Sequence, residues 1–240
     1  MKSNVESDTN KDSAMDAKRV ILTGATGMIG GLILRYCLEN EGVSEVTVIG
    51  RRSVEIQNPK LSEALHDDYT DYSEVSEEFT GQHIAFFCIG VYTGAVSDEE
   101  FRKISVDYAQ AFGDTVRARS PEAVLCFLGG AGTDAKERSR IAFARYKGMA
   151  ENALLRMGFS RIHLFRPGYI YPVTPRDEPN IWLRISRSLY PVVRRIYPNI
   201  GIASDDLARV MVHAGLHGTG AHTDPVLENR DIRAIAEAAR

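Results

Sequence analysis

The chain has little of what marks most specialised classes of protein. Its 240 residues include only three cysteines, Cys37, Cys88 and Cys126, each inside an apolar run. That pattern excludes a disulfide framework and a cysteine metal site, and it favours reduced core residues in a cytosolic protein. No stretch reaches the roughly 18 uninterrupted apolar residues that suggest a membrane span. Neither sign of charge dominates: 29 basic residues against 32 acidic ones leave a net charge of -3, which gives no electrostatic reason to expect nucleic acid. Residues 1–17 lack the apolar centre of a signal peptide and the arginine-rich, acid-poor character of a transit sequence, so a disordered tail is expected there.

What is present is concentrated first in Val20–Gly30. An apolar run, Val20-Ile21-Leu22, leads into glycines at 24, 27 and 30, and amphipathic spacing resumes through Ile29, Leu32, Ile33, Tyr36 and Cys37. A buried strand, a glycine turn and a helix start form an anion site. The first helical turn presents unpaired backbone N–H groups and a partial positive charge, and residues without side chains admit a pyrophosphate. Gly24, Thr26, Gly27, Met28 and Ile29 are therefore expected to hold a dinucleotide, although a glycine triplet alone also fits a tight turn packed under a helix.

Further along, Glu45–Ile49 predicts a second strand ending at Gly50-Arg51-Arg52. An acidic residue at this distance from the glycines grips the ribose hydroxyls in NAD-selective sites. Two guanidinium groups instead suit a 2′-phosphate, which makes NADP(H) the expected cofactor. A third strand falls somewhere in Ala64–Asp68, followed by an acidic segment, Ser73–Phe79. Strands are expected at His83–Cys88, Ala123–Leu128 and Arg161–Phe165, with helices over 98–117 and 139–157 between them. Strands alternating with helices imply an α/β fold: a doubly wound parallel sheet covered on both faces, with ligands at the carboxyl ends of its strands.

The last third changes character. Residues 171–203 hold five of the nine prolines, and Arg184, Arg187, Arg194 and Arg195 alternate with Trp182, Tyr190 and Tyr197 without an acid. A helical substrate lid over 173–240 integrated with the main domain, a homodimer or protein-partner contact, and a basic face packed on the sheet all fit this composition; a membrane surface is disfavoured. Ser204-Asp205-Asp206 is expected to cap a helix that carries Leu207, Val210, Met211 and Ala214 on its core face. His213 and His217 share a face of that helix, but with no third ligand beside them no metal is expected. A short strand at Pro225–Leu227 and a helix from Asp231 complete the pattern.

The motifs Thr23–Gly30, Ile49-Gly50-Arg51-Arg52, Asp68-Tyr69, Cys88-Ile89-Gly90 and Phe165-Arg166-Pro167-Gly168 together resemble the atypical short-chain dehydrogenases/reductases. Within them the chain is similar to the Tat-interacting oxidoreductase branch and its bacterial relatives, over about residues 19–172. The resemblance implies an NADP-binding Rossmann domain over 18–172, with Arg51 and Arg52 on the 2′-phosphate. It also implies Asp68 and Tyr69 near the adenine, Cys88, Ile89 and Gly90 along the ribose side, and Pro167 and Gly168 near the cofactor.

The family's usual chemistry adds a serine after the fifth strand and a tyrosine four residues before a lysine. The tyrosine moves the proton, the lysine lowers its pKa and holds the ribose, and the serine polarises the carbonyl. Lys147 stands in the lysine position, whereas Phe143 replaces the tyrosine and Gly129-Gly130 replace the serine. The expected catalytic residues are Lys147, ordering the ribose, and Tyr146 as substitute acid, with the Thr133 hydroxyl as a second source. These features predict an NADP(H)-dependent oxidoreductase acting on a small-molecule carbonyl or alcohol. A non-catalytic NADP(H)-binding sensor or scaffold, and a redox-neutral isomerase or cyclase, also fit the sequence.

Overall fold

The structure is a computed structural model and describes residues 17–92, 94–173 and 198–238. The amino-terminal tail up to residue 16 and the arginine and aromatic cluster over 182–197 lie outside the described residues.

Seven strands form one sheet: β1 (Lys18–Thr23), β2 (Val43–Gly50), β3 (Leu61–Leu65), β4 (Ile84–Phe87), β5 (Val124–Leu128), β6 (Arg161–Arg166) and β9 (Val226–Glu228). Their order is β3-β2-β1-β4-β5-β6-β9, and every neighbouring pair is parallel. The strands read as continuous apolar runs because alternate residues serve opposite faces. Val20 and Leu22 of β1, Ile84 and Phe86 of β4, and Val124 and Cys126 of β5 enter one core. Ile21, Ala85, Phe87, Leu125 and Phe127, between them in the chain, enter the other.

The first core is covered by α1 (Met28–Glu39), α5 (Ser204–His217) and α6 (Asn229–Ala238), through Ile29, Ile33, Leu207, Met211 and Ile232. The second is covered by the 3-10 helix Ser73–Phe79, α3 (Tyr108–Arg119) and α4 (Ala142–Arg156), through Phe79, Phe112 and Leu154. A short α2 (Asp98–Arg102) runs into α3 through a π-helical turn, Lys103–Asp107, where a single helix over 98–117 was expected. The doubly wound Rossmann architecture is thus present.

Three local expectations are corrected, and one pair of strands is added. The third strand is Leu61–Leu65, earlier than the 64–68 expected; it is an edge strand with two of its five positions only partly buried and the rest exposed, so hydrophobicity marks it poorly. α4 begins at Ala142, because Asp134 holds the preceding loop: its carboxylate accepts from Arg138 N at 2.8 Å and Ser139 N at 2.7 Å. Ser204 is the first helical residue of α5 and does not cap it; its hydroxyl accepts from Val173 N at 3.2 Å. Two three-residue strands, β7 (Tyr169–Tyr171) and β8 (Gly201–Ala203), pair in a separate parallel sheet that no sequence period announces. The described residues 198–238 of the carboxyl-terminal third contribute β9 to the main sheet and α5 and α6 to its cover.

Candidate functional site

The strand order reverses between β1 and β4, and the glycine loop lies at that point. A cleft of about 480 Å³ opens there, lined by Gly24 to Gly27, Val48, Gly50, Arg51, Arg52, Tyr69 and Cys88 to Gly90. That volume is in the range of ordinary small-molecule sites.

The glycines act in different ways. Gly24 has φ +86°, and a Cβ on it would lie 2.6 Å from the Cys88 carbonyl; only glycine lets the loop cross so close to the end of β4. A Cβ on Gly30 would lie 2.2 Å from the Gly24 oxygen, so this residue sets how tightly α1 seats under the loop. Gly27, the N-cap of α1, makes no side-chain cap bond, and no acid stands in the first turn. The N–H groups of the first turn, including those of Met28 and Ile29, are left to meet an anion, while the Ile29 side chain goes into the core.

Arg51 and Arg52 are both exposed at the carboxyl end of β2 and line the cleft. Neither makes a salt bridge among the described residues. Tyr69 is buried beside Arg51; desolvation raises its pKa against the opposing field of that guanidinium. The neighbouring Asp68 is not among the cleft-lining residues. Its carboxylate turns onto its own loop, accepting from Thr70 N at 2.9 Å and Thr70 Oγ1 at 2.5 Å, and these bonds hold its pKa below the usual carboxylate value. Cys88 lines the cleft, with burial pushing its thiol pKa up.

At the other end, the positions the family would use for chemistry are filled in a different way. A Cβ on Gly130 would lie 2.6 Å from Phe143 Cζ, so the phenyl ring packs into the space a serine side chain would enter. A Cβ on Gly129 would lie 2.9 Å from Glu151 Oε1, so this glycine makes room for a buried carboxylate. Lys147 is 7% exposed; its Nζ donates to the Leu128 carbonyl at 3.3 Å and sits 5.0 Å over the Phe127 ring. Desolvation lowers its pKa to about 8, against the opposing influence of Glu151 and Cys88.

Tyr146 is not free to serve as the acid. Its hydroxyl donates to Asp98 Oδ2 at 2.6 Å, and its ring packs with Phe101 and Val106 in a third apolar cluster. The 100° step between consecutive helical residues separates it from Lys147. Thr133 donates to the Gly130 carbonyl at 2.7 Å, closing the loop after β5. Pro167 and Gly168 are likewise spent on structure. The Pro167 carbonyl accepts from Ala131 N at 2.8 Å, and Gly168 N donates to Asn229 Oδ1 at 2.9 Å.

No sequence motif singles out Glu151 or gives Arg166 a role. Arg166 binds Glu151 through three contacts of 2.5 to 3.2 Å and Glu228 Oε1 at 2.9 Å. The signal available was a carboxylate one helical turn beyond Lys147 on a face that is otherwise apolar. The His213 and His217 rings do meet, with centroids 5.1 Å apart and planes tilted by 51°. No cluster of metal-ligating side chains occurs among the described residues.

No protein-family model matches the chain. Protein HTATIP2 of Rattus norvegicus is 25% identical over 175 residues, 72% of this chain and 71% of that protein. Protein fmp52, mitochondrial, of Aspergillus clavatus is 29% identical over 211 residues, covering 82% and 86%. Fungal proteins of that name from Aspergillus niger and Aspergillus fumigatus match similarly. Their names place those relatives in mitochondria, which overturns the cytosolic expectation drawn from composition. The gentle charge balance and reduced cysteines behind it do not report an address.

Among solved structures, a short chain dehydrogenase family protein of Francisella tularensis superposes with TM-score 0.63 at 14% identity, covering 88% of this chain and 95% of that one. Bordetella bronchiseptica WbmF, solved in complex with NAD+ and UDP, gives TM-score 0.65 at 11% identity over 89% and 72%. The chain is thus a relative of HTATIP2 and the fmp52 proteins, built on the Rossmann fold that it shares with the short-chain dehydrogenases.

Proposed function

We propose that the protein is an NADP(H)-dependent oxidoreductase. The observation that carries this reading is the pair Arg51 and Arg52, exposed in the cleft at the end of β2 and without carboxylate partners among the described residues. Two permanent cations there favour a 2′-phosphate over a bare ribose. The residues present fit a dinucleotide: uncapped N–H groups at the start of α1, close-approach glycines, and a cleft leading along Cys88–Gly90. When bound, the cofactor supplies two-electron reduction of a carbonyl compound. The α1 amides hold its pyrophosphate, Arg51 and Arg52 the 2′-phosphate, and Lys147 the ribose on the nicotinamide side.

A second reading, a non-catalytic NADP(H)-binding sensor or scaffold, is favoured by one observation: the Phe143 ring packed onto Gly130 where hydroxyls are usual. One experiment tests both. Fluorescence titration should show NADPH binding at least 50-fold tighter than NADH, and the double change Arg51→Ala/Arg52→Ala should remove that preference with little effect on NADH. Single-turnover absorbance with ketones, aldehydes and quinones then separates the readings. Equal affinities for the two dinucleotides would sink the NADP assignment, and tight binding without turnover would leave the sensor.

A further inference from the structure

Lys147 and Glu151 are one turn apart on α4, a spacing at which lysine and glutamate ordinarily pair. Both are buried, with Glu151 1% exposed, and in a low-dielectric interior such a pair would close strongly. Glu151 is bound instead by Arg166, whose Nε and Nη2 both reach its carboxylate, and no Lys147–Glu151 contact lies within ion-pair distance. Arg166 is held in place from the far side by Glu228 of β9, at 2.9 Å.

Among the described residues Lys147 is thereby left with a single neutral hydrogen-bond partner, the Leu128 carbonyl, at the carboxyl end of β5. The groups facing it are Glu151 on its own helix, the Cys88 thiol from the segment after β4, and the Phe127 ring of β5. Cys88 also lines the dinucleotide cleft.

We propose that Arg166 is a positioning residue: by occupying Glu151 on both oxygens, it withholds that carboxylate from Lys147 and keeps the lysine amine available to a ligand at the end of β5. The planar fork of a guanidinium suits this task, because it satisfies both oxygens at once. Gly129 is part of the device, since any side chain there would displace the Glu151 carboxylate, whose Oε1 lies 2.9 Å from a Cβ at that position. The proposal rests on Lys147 serving the cofactor site. Its test is made on the protein without dinucleotide, so failure of NADPH binding and failure of this device are separate results.

The measurement is a pH titration of the Lys147 side chain by NMR of 13Cε-lysine-labelled full-length protein, with Lys147→Ala identifying the resonance. In the unmodified protein the midpoint should fall near 8. Arg166→Met frees Glu151 to pair with Lys147 and should raise the midpoint by at least one pH unit, a tenfold gain in proton affinity. Glu151→Gln/Arg166→Met removes the released carboxylate as well and should return the midpoint to that of the unmodified protein or below. Arg166→Lys, which keeps the charge but holds only one oxygen, should give a smaller rise; it carries the test if Arg166→Met does not fold. An unshifted midpoint in the folded Arg166 variant, or a raised midpoint that survives in the double variant, overturns the proposal.

Discussion

The glycines after β1 and those after β5 serve opposite purposes. After β1, Gly24, Gly27 and Gly30 keep side chains out so that backbone N–H groups and exposed arginines face open space. After β5, Gly129 and Gly130 are backed at once by Glu151 and Phe143, and Thr133 and Tyr146 nearby are already paired. One region is built to receive a ligand's charge. The other is built to hold its own residues still, with the buried Lys147 amine bound to a neutral carbonyl. A glycine in a motif therefore has no fixed meaning until its neighbour is known.

Three changes would break or sharpen that contrast. The largest effect is expected from Gly30→Ala, because its Cβ would fall 2.2 Å from the Gly24 oxygen and the helix would have to back away from the loop. NADPH affinity measured by fluorescence should drop at least 100-fold; binding within tenfold of the unmodified protein would show that the loop tolerates a wider seat.

Next is Lys147→Met in the second region. The folded pKa of about 8 lies below the ordinary 10.5, so the unfolded chain binds more protons between those values and stability rises with pH across that window. Below pH 8 the buried ammonium costs about 3 kcal/mol. Urea unfolding should therefore find Lys147→Met the more stable at pH 7, with the advantage shrinking toward pH 10.5. An advantage that stays constant with pH would mean that folding leaves the pKa of the amine unchanged.

The smallest effect is expected from Asp68→Asn. Its carboxylate is occupied by the Thr70 backbone and hydroxyl, and it does not line the cleft. NADPH affinity should change less than threefold, and a tenfold loss would return Asp68 to the adenine site that the family resemblance implies.

Much of the first region was legible in the sequence because its logic is local. The glycine spacing, the preceding apolar run and Arg51-Arg52 lie on short segments whose placement follows from β1 and β2 running parallel. The strand runs also carried the two-sided burial directly, since a residue such as Ile21 between Val20 and Leu22 has a core on its own side. What escaped was weakly patterned. β3 is half exposed at the sheet edge, and β7 and β8, at three residues each, are too short to show a period.

The chain alone therefore determined the α/β alternation, the phosphate loop and the position of two cations at the end of β2. These depend on hydrogen bonding within helices and on residues within a few positions of one another. Only the tertiary structure decided the arrangement around Lys147. Tyr146 meets Asp98 across 48 positions, Arg166 meets Glu228 across 62, and Phe143 finds its seat on Gly130. Contacts of that range are set by how the helices settle on the sheet. Burial then makes each polar group take whichever partner that packing brings within reach.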